Sequence, residues 1–519
     1  MVAQLFVVRA SGHLFDRQRE YPHWEPPMAI LRHLLEDLGI GGVIFVGGSA
    51  GDLMLRSHQV QSLAKYPLLI AADIEEGVGQ RFAGATWFAP PMAISEIAQD
   101  EPELALQYAE EMGAAIAKEA EAIGINWVLA PVVDVNNNPQ NPVINVRAFG
   151  ETPETVSQLA TAFLRGQQGF AVLTCAKHFP GHGDTSVDSH VELPVLPHSI
   201  QRLEQIELPP FIRAIAAGVD AVMSAHLLIP AWDSQQPATL SRKILTGQLR
   251  QKLGFEGLIV TDALVMGAIA KRYGANEAPI LALEAGADIL LMPEDPVGAI
   301  RALCEAVRAG RISETRIRES VQRIWKAKGK LFPEAQVVSA SPERLSVLSA
   351  PQIMASAEKI LRQSQQVGGS LPLPQSPGGE KHLRNLLIVD DIINCAFLNK
   401  AAPAIAFPQS LGYKLQLVDC NTASNPELEK DNSSVTLLQM FIRGNPFGGP
   451  ARVTSLAYQW VKKLLRNGQL QAISIYGSPY VLKQLQPDLP PEIPYVFSYG
   501  QMSAAQAIAL ETLFGRELS

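Results

Sequence analysis

Residues 171–190 read AVLTCAKHFPGHGDTSVDSH. The apolar part, residues 171–176, opens into a loop in which three His, two Asp and one Lys stand among Pro and Gly residues. An apolar strand that opens into a polar, glycine-rich loop is typical of an α/β enzyme that presents catalytic groups at the carboxyl end of a strand. The stretch therefore predicts a buried strand followed by a functional loop.

Seven further apolar runs resemble residues 171–173, and together the eight predict the fold of the first two thirds of the chain. They begin near Leu5, Gly42, Leu68, Trp127, Ala171, Ala221, Leu258 and Ile289. Segments with helical spacing, such as 101–122 and 153–168, lie between most of them. This alternation predicts an α/β fold with a (β/α)8 TIM-type barrel, and continuous apolar strands fit parallel pairing buried on both faces. A doubly wound open sheet is the alternative.

The organisation beyond the barrel indicates a second domain. We predict a catalytic barrel over residues 1–335 and a breaker-rich linker over 336–380 that contains one helix, at about 351–363. A smaller α/β sandwich-like domain would occupy 381–519, with strands near residues 386–389, 415–418, 435–438, 472–475 and 495–497.

Composition excludes several classes of protein. The hydrophobic fraction of 47% and charged fraction of 18% describe a folded enzyme, and the net charge of -8 argues against a nucleic-acid partner. The chain has four cysteines without a CxxC pair, which predicts reduced thiols. No apolar stretch is long enough to span a bilayer and the amino terminus reads as a strand, so we expect a cytoplasmic protein without a membrane partner. Monomer and homodimer both stay open.

Polar residues follow five of the predicted strands at the point where each strand ends. They are Asp73 and Glu75 after the third, residues 134–147 after the fourth, residues 177–190 after the fifth, His226 after the sixth and Asp262 after the seventh. Because the carboxyl ends of barrel strands meet at one face, these residues predict an active site there.

The residue types suggest acid/base and nucleophilic chemistry. Asp262 fits a carboxylate nucleophile of double-displacement glycoside hydrolysis, although an Asp after a strand is also a common helix N-cap. His190, oriented by Asp188 two residues earlier, fits the proton donor, because an imidazolium is a good acid near neutral pH. The alternative is that Asp188 caps a turn and His190 lies on the surface.

Four charged or polar residues fit the hydroxyl groups of a sugar, namely Asp73, Arg147, Lys177 and His178. Each has a structural alternative. Arg147 would then pair with Asp134 or Glu151, Lys177 would be solvated, and His178 would be a buried, satisfied residue.

A metal site is the less favoured use of the loop. Its ligands would be His178, His182, Asp184 and His190, but Pro180-Gly181 breaks the helix that an i, i+4 ligand pair needs. No phosphate-binding loop or dinucleotide fingerprint is present, so we expect neither a metal nor a cofactor.

At these residues the chain resembles the family 3 glycoside hydrolases, specifically their bacterial β-N-acetylglucosaminidase branch of the two-domain type. The loop 177–190 is similar to that branch's signature, and the segments 72–82 and 141–150 are similar to its sugar-binding motifs. The resemblance implies an Asp-His acid/base dyad at Asp188 and His190, with the nucleophile at Asp262. It also implies sugar-binding roles for Asp73, Arg81, Arg147, Lys177 and His178. The chain departs from the family pattern at Glu76, Val78 and Ala148.

The resemblance implies a retaining exo-enzyme whose partner is a small carbohydrate. It would release terminal β-linked N-acetylglucosamine from muropeptide or chito-oligosaccharide fragments during cell-wall recycling. The β-glucosidases of this family take their acid/base from the second domain as a Glu, so the intact Asp188-Ser189-His190 favours the N-acetylglucosamine branch. A β-glucosidase, a phosphorolytic N-acetylglucosaminidase and a non-catalytic sugar-binding protein stay open as alternatives.

Overall fold

The computed structural model describes most of the chain, namely residues 1–186, 192–332, 341–373, 382–393, 395–422, 426, 433–444 and 451–517, with 451–452 described in the backbone only. The predicted dyad of Asp188 and His190 lies outside the described residues. The chain forms two compact units. The first comprises Met1–Trp87 and Ala98–Ser356, and the second comprises Phe88–Ile97 and Ala357–Ser519.

Within its described residues, the first unit has eight parallel strands in two sheets. They are β1 (Phe6–Ser11), β2 (Gly42–Val46), β3 (Leu69–Ala72), β4 (Trp127–Val128), β5 (Cys175–Phe179), β6 (Ala221–Ser224), β7 (Leu258–Thr261) and β8 (Leu290–Leu291). The strand orders are β4-β3-β2-β1-β8 and β5-β6-β7. Isolated parallel bridges join Trp127 to Leu173 and Val260 to Ile289, one at each junction between the two sheets. The arrangement is consistent with a curled parallel sheet, whose strand residues are buried except for Arg9 and Val46.

Helices connect these strands and continue into the second unit. They are α1 (Met28–Arg32), α2 (Ala50–Leu63), α3 (Met92–Ile97), α4 (Pro102–Ala122), α5 (Pro153–Gln167), α6 (Ile200–Arg202), α7 (Leu208–Ala216), α8 (Gly267–Tyr273), α9 (Glu277–Ala285), α10 (Pro296–Arg308), α11 (Glu314–Leu331), α12 (Pro351–Gln363), α13 (Pro403–Ser410), α14 (Ala451–Arg466), α15 (Pro479–Leu485) and α16 (Ser503–Phe514). Further turns are π-helical at His33–Leu38, Leu203–Glu207 and Lys243–Lys252. Among the described residues, no helix combines the length and hydrophobicity that a membrane crossing needs.

Several helices begin where the sequence supplies a capping side chain. Ser49, Thr152, Asp295 and Ser313 each accept a hydrogen bond from a backbone N–H in the first turn of α2, α5, α10 and α11, respectively. Such a bond satisfies one of the donors that a helix start leaves open. The helix expected at 351–363 is α12, with the bounds that were predicted.

The position of β5 differs from the sequence prediction. The apolar run suggested a strand at 171–173, but β5 is Cys175–Phe179, so Lys177 and His178 belong to the strand and not to the loop after it. Both are buried, with exposures of 2% and 5%. Hydrophobicity alone ends the strand at the first charged residue, whereas these side chains are buried because carboxylates from the segments after other strands bind them.

The part of the second unit that the structure describes is built on one six-stranded sheet. Its strands are β9 (Gln366–Gly368), β10 (Leu383–Val389), β11 (Lys414–Val418), β12 (Val435–Ile442), β13 (Leu470–Gly477) and β14 (Tyr495–Ser498), in the order β11-β10-β12-β13-β14-β9. Only β9 among them is antiparallel to its neighbour. The five predicted strands are confirmed, and β9 was missed within the breaker-rich segment.

Helices cover both faces of this sheet. The guanidinium of Arg384 lies 5.8 Å from the ring of Trp460 in α14, whereas the amide of Asn385 donates to the carbonyl of Ala404 in α13. Because successive strand residues point to opposite faces, α14 and α13 lie on opposite sides of the sheet. The second unit is therefore a three-layer α/β/α structure.

Candidate active site

The strand register brings the polar residues after β3, β5 and β7 to one edge of the curled sheet. In the pairing of β5, β6 and β7, Phe179 aligns with Ser224, and Ser224 aligns with Thr261. Asp262 follows Thr261 directly, and its N–H donates to the carbonyl of Ser224 at 3.2 Å. Asp262 therefore lies at the same strand edge as the carboxyl end of β5.

A buried network of alternating charges forms at this edge. The Nζ atom of Lys177 lies 2.7 Å from Oδ1 of Asp73 and 2.6 Å from Oε1 of Glu75. Arg147 donates from Nε and Nη2 to the two carboxylate oxygens of Glu75, each at 2.8 Å. The side chains of Lys177 and Glu75 are almost completely buried, while that of Asp73 is 34% exposed. Asp73 is therefore the member of the network that faces solvent most.

The charges of the network hold one another in their ionised forms. Burial disfavours the ionised form of Glu75, but Arg147 and Lys177 overcome this effect and hold its pKa well below the ordinary value. Burial also disfavours the charged form of Lys177, yet Asp73 and Glu75 raise its pKa. The pKa of Arg147 is raised as well, because Glu75 outweighs the effect of burial. All three groups are thus charged at neutral pH, and the site is pre-organised for polar ligands.

Asp134 orients the second polar residue of β5. Its carboxylate accepts from Nδ1 of His178 at 2.8 Å and from the backbone N–H of His182 at 2.7 Å. Burial opposes the ionisation of Asp134, but the neighbouring His178 lowers its pKa below the ordinary value. A histidine whose Nδ1 is bound to a carboxylate has a fixed ring orientation and keeps Nε2 for another partner.

The loop after β5 is anchored at its base. The side-chain amide of Asn141 donates to the carbonyls of His182 and Gly183 at 2.8 and 2.9 Å. A Cβ atom on Gly183 would fall 1.7 Å from the carbonyl oxygen of Val135, so only glycine fits there. Burial lowers the pKa of His182 to about 4, and its Nδ1 lies 2.9 Å from the hydroxyl of Thr185. The described part of the loop is therefore held firmly up to the residues before the predicted dyad.

The nucleophile candidate is positioned by its own loop and by His226. Oδ1 of Asp262 accepts from the N–H of Ala263 at 2.7 Å, and the carbonyl of Ala263 lies 3.0 Å from Nε2 of His226. The N-cap alternative for Asp262 is wrong, because the next helix, α8, begins at Gly267 with Met266 at its N-cap. His226 is completely buried and bonds to Thr239 through Nδ1, so it holds the backbone beside Asp262.

Glu75 is the site residue that sequence reasoning missed. The sequence places Glu75 after the third strand without indicating a role, and Arg147 pairs with Glu75 instead of with Asp134 or Glu151. The spacing Asp73-x-Glu75 was the available signal, since both carboxylates reach Lys177. Arg81 lies beside them with its Nε donating to the backbone carbonyl of Asp73 at 3.1 Å.

Three residues of the metal alternative, His178, His182 and Asp184, have other partners, and the fourth, His190, lies outside the described residues. His178 and His182 engage Asp134 and Thr185 through their Nδ1 atoms, as described above. The carboxylate of Asp184 lies 2.9 Å from Nε2 of His198 and 3.3 Å from Arg202. Within the described part of the chain, no group of His, Cys, Asp and Glu is arranged to hold a metal ion.

Two domain families match the chain in sequence. The Glycosyl hydrolase family 3 N terminal domain matches residues 2–327, and the Bacterial Glycosyl hydrolase family 3 C-terminal domain matches residues 377–515.

Individual relatives extend the comparison. The Beta-hexosaminidase A of Pseudoalteromonas piscicida is 31% identical over 92% of this chain and 83% of its own length. The Beta-N-acetylglucosaminidase/beta-glucosidase of Cellulomonas fimi is 31% identical over 64% of this chain and 60% of its own length. Among solved structures, the glycoside hydrolase family 3 beta-N-acetylglucosaminidase of Paenibacillus sp. str. FPU-7 is 31% identical, with a TM-score of 0.80, and covers 100% of this chain and 96% of its own.

Proposed function

Because the chain belongs to glycoside hydrolase family 3, in its bacterial β-N-acetylglucosaminidase branch, we propose that it is a retaining exo-hydrolase of terminal β-linked N-acetylglucosamine. The observation that carries this proposal is the buried network of Asp73, Lys177, Glu75 and Arg147 at the edge that also holds Asp262. A pre-organised set of charges beside a carboxylate nucleophile is what glycosyl transfer to the enzyme requires.

Asp73 is the proposed hydroxyl-binding carboxylate. Because Asp73 is 34% exposed, one of its carboxylate oxygens is available to a sugar hydroxyl. The buried Lys177 neutralises and orients the carboxylate of Asp73. Nε2 of His178, held by Asp134, supplies a second directional contact. Arg81 adds a cation at the rim. Arg147 acts mainly through Glu75, since Nε and Nη2 are both engaged there.

The reaction proceeds in two steps in this proposal. The carboxylate of Asp262 attacks the anomeric carbon, the glycosidic C–O bond breaks, and the leaving oxygen takes a proton from His190, which Asp188 orients. A water molecule then attacks the anomeric carbon of the glycosyl ester, giving its proton to His190 and restoring the carboxylate of Asp262. Two inversions leave the product with the β configuration of the substrate.

The natural substrate in this proposal is a muropeptide or chito-oligosaccharide fragment, and the role is cell-wall recycling in the cytoplasm.

The β-glucosidase alternative is favoured by one observation, the similarity to the Cellulomonas fimi protein whose name includes both activities. A panel of synthetic β-glycosides separates the two. Faster hydrolysis of the N-acetylglucosaminide than of the glucoside supports the proposal, and the reverse order contradicts it. Repeating the panel with phosphate detects a glycosyl phosphate if the acceptor is phosphate.

A trapping experiment tests the nucleophile. A 5-fluoro-N-acetylglucosaminyl fluoride slows the second step more than the first, so the glycosyl ester accumulates and peptide mass spectrometry locates it. We expect the label on the peptide that contains Asp262. A label on a different carboxylate would assign the nucleophile elsewhere.

The leaving group tests the proton donor. We expect His190→Ala to slow substrates with alkyl leaving groups much more than those with nitrophenyl leaving groups, because an activated phenol needs little protonation. Equal losses on both substrates would contradict the acid role of His190.

The closure of the strands in the first unit is also part of the proposal. We propose that the eight strands of the first unit close into a (β/α)8 barrel, which the parallel bridges at both junctions between its two sheets support. A crystal structure of the chain with continuous strand pairing around all eight strands would bear this out, and an open edge between β8 and β7 or between β4 and β5 would contradict it.

A further inference from the structure

The loop between β1 and α1 carries an exposed pair of aromatic rings. Tyr21, Pro22, His23 and Trp24 are all exposed, and Tyr21 and Trp24 keep 43% and 41% of their surface open to solvent. Their ring centroids lie 6.0 Å apart, with the planes only 22° from parallel. Large aromatic side chains are usually more buried than this, so a stacked pair on the surface points to a ligand.

The pair is held in place by an ion pair that lies against it, formed by Arg9 and the buried Glu25. The guanidinium of Arg9, in β1, lies 4.7 Å from the ring centre of Tyr21 and 5.6 Å from that of Trp24. Glu25, which is 1% exposed, accepts from Nε and Nη2 of Arg9 at 3.3 Å. The carbonyl of Tyr21 also accepts from the N–H groups of Trp24 and Glu25. The rings are therefore pre-organised, and binding to them costs little conformational entropy.

The aromatic pair shares an edge of the sheet with the sugar-binding network. In the strand order β4-β3-β2-β1-β8, β1 lies two positions from β3, which Asp73 follows. The strands β1 and β3 are therefore separated by roughly 10 Å within the sheet, which is comparable to the length of one or two sugar rings. The loops after β1, β2 and β3 contact one another. A Cβ atom on Gly48 would fall 3.2 Å from the carbonyl carbon of Gly12, and the carbonyl of Gly48 accepts from the backbone N–H of Ala83. Ala83 stands two residues from Arg81, which bonds to Asp73.

We propose that Tyr21 and Trp24 form a stacking platform for the sugar unit next to the one that is released. The flat C–H face of a pyranose is apolar and fits an aromatic ring, while its hydroxyl groups stay in water. The charged residues around Asp73 hold the terminal sugar, and the platform holds the neighbouring unit. This inference deepens the proposed function and rests on it, since it needs a substrate of at least two sugar rings.

Two substitutions test the platform, and two matched ones control for the loss of an exposed ring. The test variants are Tyr21→Ala and Trp24→Ala. The controls are Tyr66→Ala and Trp325→Ala, whose rings are 39% and 41% exposed and contact each other at 6.0 Å. Tyr66 precedes β3, and so lies at the opposite edge of the sheet from Asp73.

Each variant is assayed with three substrates, namely N-acetylglucosaminyl fluoride, diacetylchitobiose and triacetylchitotriose. We expect the test variants to lower kcat/KM for the two oligosaccharides by about 3- to 10-fold, through KM, because one aromatic contact is lost. Their kcat/KM for the fluoride, which has no second sugar, should stay within about twofold of wild type. The control variants should leave all three values unchanged.

The outcomes separate this inference from the proposed function. Equal losses on the fluoride and the oligosaccharides, or no loss on either, would overturn the platform while the wild-type activity upheld the proposed function. A wild-type enzyme that cleaves none of the three substrates would overturn both. Sedimentation of wild type as a dimer and of Trp24→Ala as a monomer would instead make this face a contact between two copies of the chain, and would also overturn the platform.

Discussion

The first unit buries two networks of ion pairs, one at each end of its strands, and they differ in how completely they are satisfied. At the carboxyl ends, Asp73, Lys177, Glu75 and Arg147 alternate in charge, and Asp73 stays 34% exposed. At the amino end of β8, Asp288 is completely buried. Its oxygens accept from Arg250 at 2.7 Å, Arg323 at 3.0 Å, Ser320 at 2.6 Å and the N–H of Ile259 at 3.1 Å.

The difference shows how similar chemistry serves two purposes. A buried carboxylate with every oxygen bound by the protein ties helices and strands together and has no capacity left for a ligand. A network with one partly exposed carboxylate keeps that capacity, while its buried members supply the charge that orients it. We therefore expect substitutions at the carboxyl-end network to change activity and substitutions at Asp288 to change stability.

The largest effect should come from Asp262, which lies at the carboxyl ends of the strands. Asp262→Asn removes the proposed nucleophile and should lower kcat by about 10⁴-fold or more with little change in Tm. Asp295→Asn is the control, because Asp295 only caps α10 and should leave kcat unchanged. Thermal unfolding and initial rates measured on the same samples give Tm and kcat for each variant. Substantial residual turnover in Asp262→Asn would contradict the role of Asp262 as the nucleophile.

The direct test of the comparison is the pair Asp73→Asn and Asp288→Asn. The first should lower kcat/KM by about 10²-fold through the loss of a charged hydrogen bond to substrate, with a small change in Tm. The second should cost about 3–5 kcal/mol of unfolding free energy, because buried arginines lose their counter-ion, while the folded enzyme keeps its kcat/KM. Urea unfolding curves and initial rates measure both quantities. If Asp73→Asn cost more stability than Asp288→Asn, the division between the two networks would not hold.

Glu75→Gln should show both effects and so sharpen the comparison. Glu75 is itself only 4% exposed, and it pairs with both Lys177 and Arg147. We expect about tenfold lower kcat/KM from a misplaced Asp73 and Lys177, together with a loss of about 3 kcal/mol in unfolding free energy. Glu75→Asp keeps the charge and should restore part of both. A variant with full activity and lowered stability would make Glu75 a structural residue only.

The smallest effect concerns the pH dependence of stability near the loop after β5. Burial raises the pKa of Glu207 to about 7, against the opposing charge of Arg202 at 3.4 Å. An unfolded Glu ionises near pH 4.3, so between about pH 4 and 7 the folded state binds more protons and stability falls as pH rises. Glu207→Gln should flatten this fall in pH-dependent urea unfolding.

The control for Glu207 lies on the same π-helical turn. Glu204 is exposed and pairs with Lys252 on the surface, so Glu204→Gln should leave the pH profile as in wild type. Glu207 lies against the loop after β5, since a Cβ atom on Gly181 would fall 2.8 Å from the Cβ of Glu207. An unchanged pH profile in Glu207→Gln would mean that Glu207 ionises normally in the folded state.

Much of the architecture was predictable from hydrophobic patterns. The two α/β units, seven of the eight strand positions in the first unit and helix α12 follow from apolar runs and breakers alone. The eighth, β5, lies later in the chain than predicted, because distant carboxylates bind the buried side chains of Lys177 and His178 and no local pattern records such contacts. The short strand β9 lies among breaker residues, and its pairing with β14 is equally non-local.

The sequence predicts the candidate residues of the site but not the contacts between them. The sequence predicts Asp73, Arg147, Lys177 and Asp262 after strands that end at one edge, although Lys177 lies within β5. The role of Glu75 could not be predicted from the sequence, because its two partners, Arg147 and Lys177, lie 72 and 102 positions away in the chain. The exposed ring pair of Tyr21 and Trp24 gave no sequence signal, since burial of an aromatic residue is the usual expectation.

The anomeric configuration of the first-formed product tests the central claim most directly. The enzyme is mixed with p-nitrophenyl N-acetyl-β-glucosaminide, and proton NMR spectra are recorded before mutarotation equilibrates the product. A nucleophilic Asp262 predicts that β-N-acetylglucosamine appears first and the α-anomer only later. Initial release of the α-anomer would mean a single displacement by water, and it would contradict the covalent mechanism.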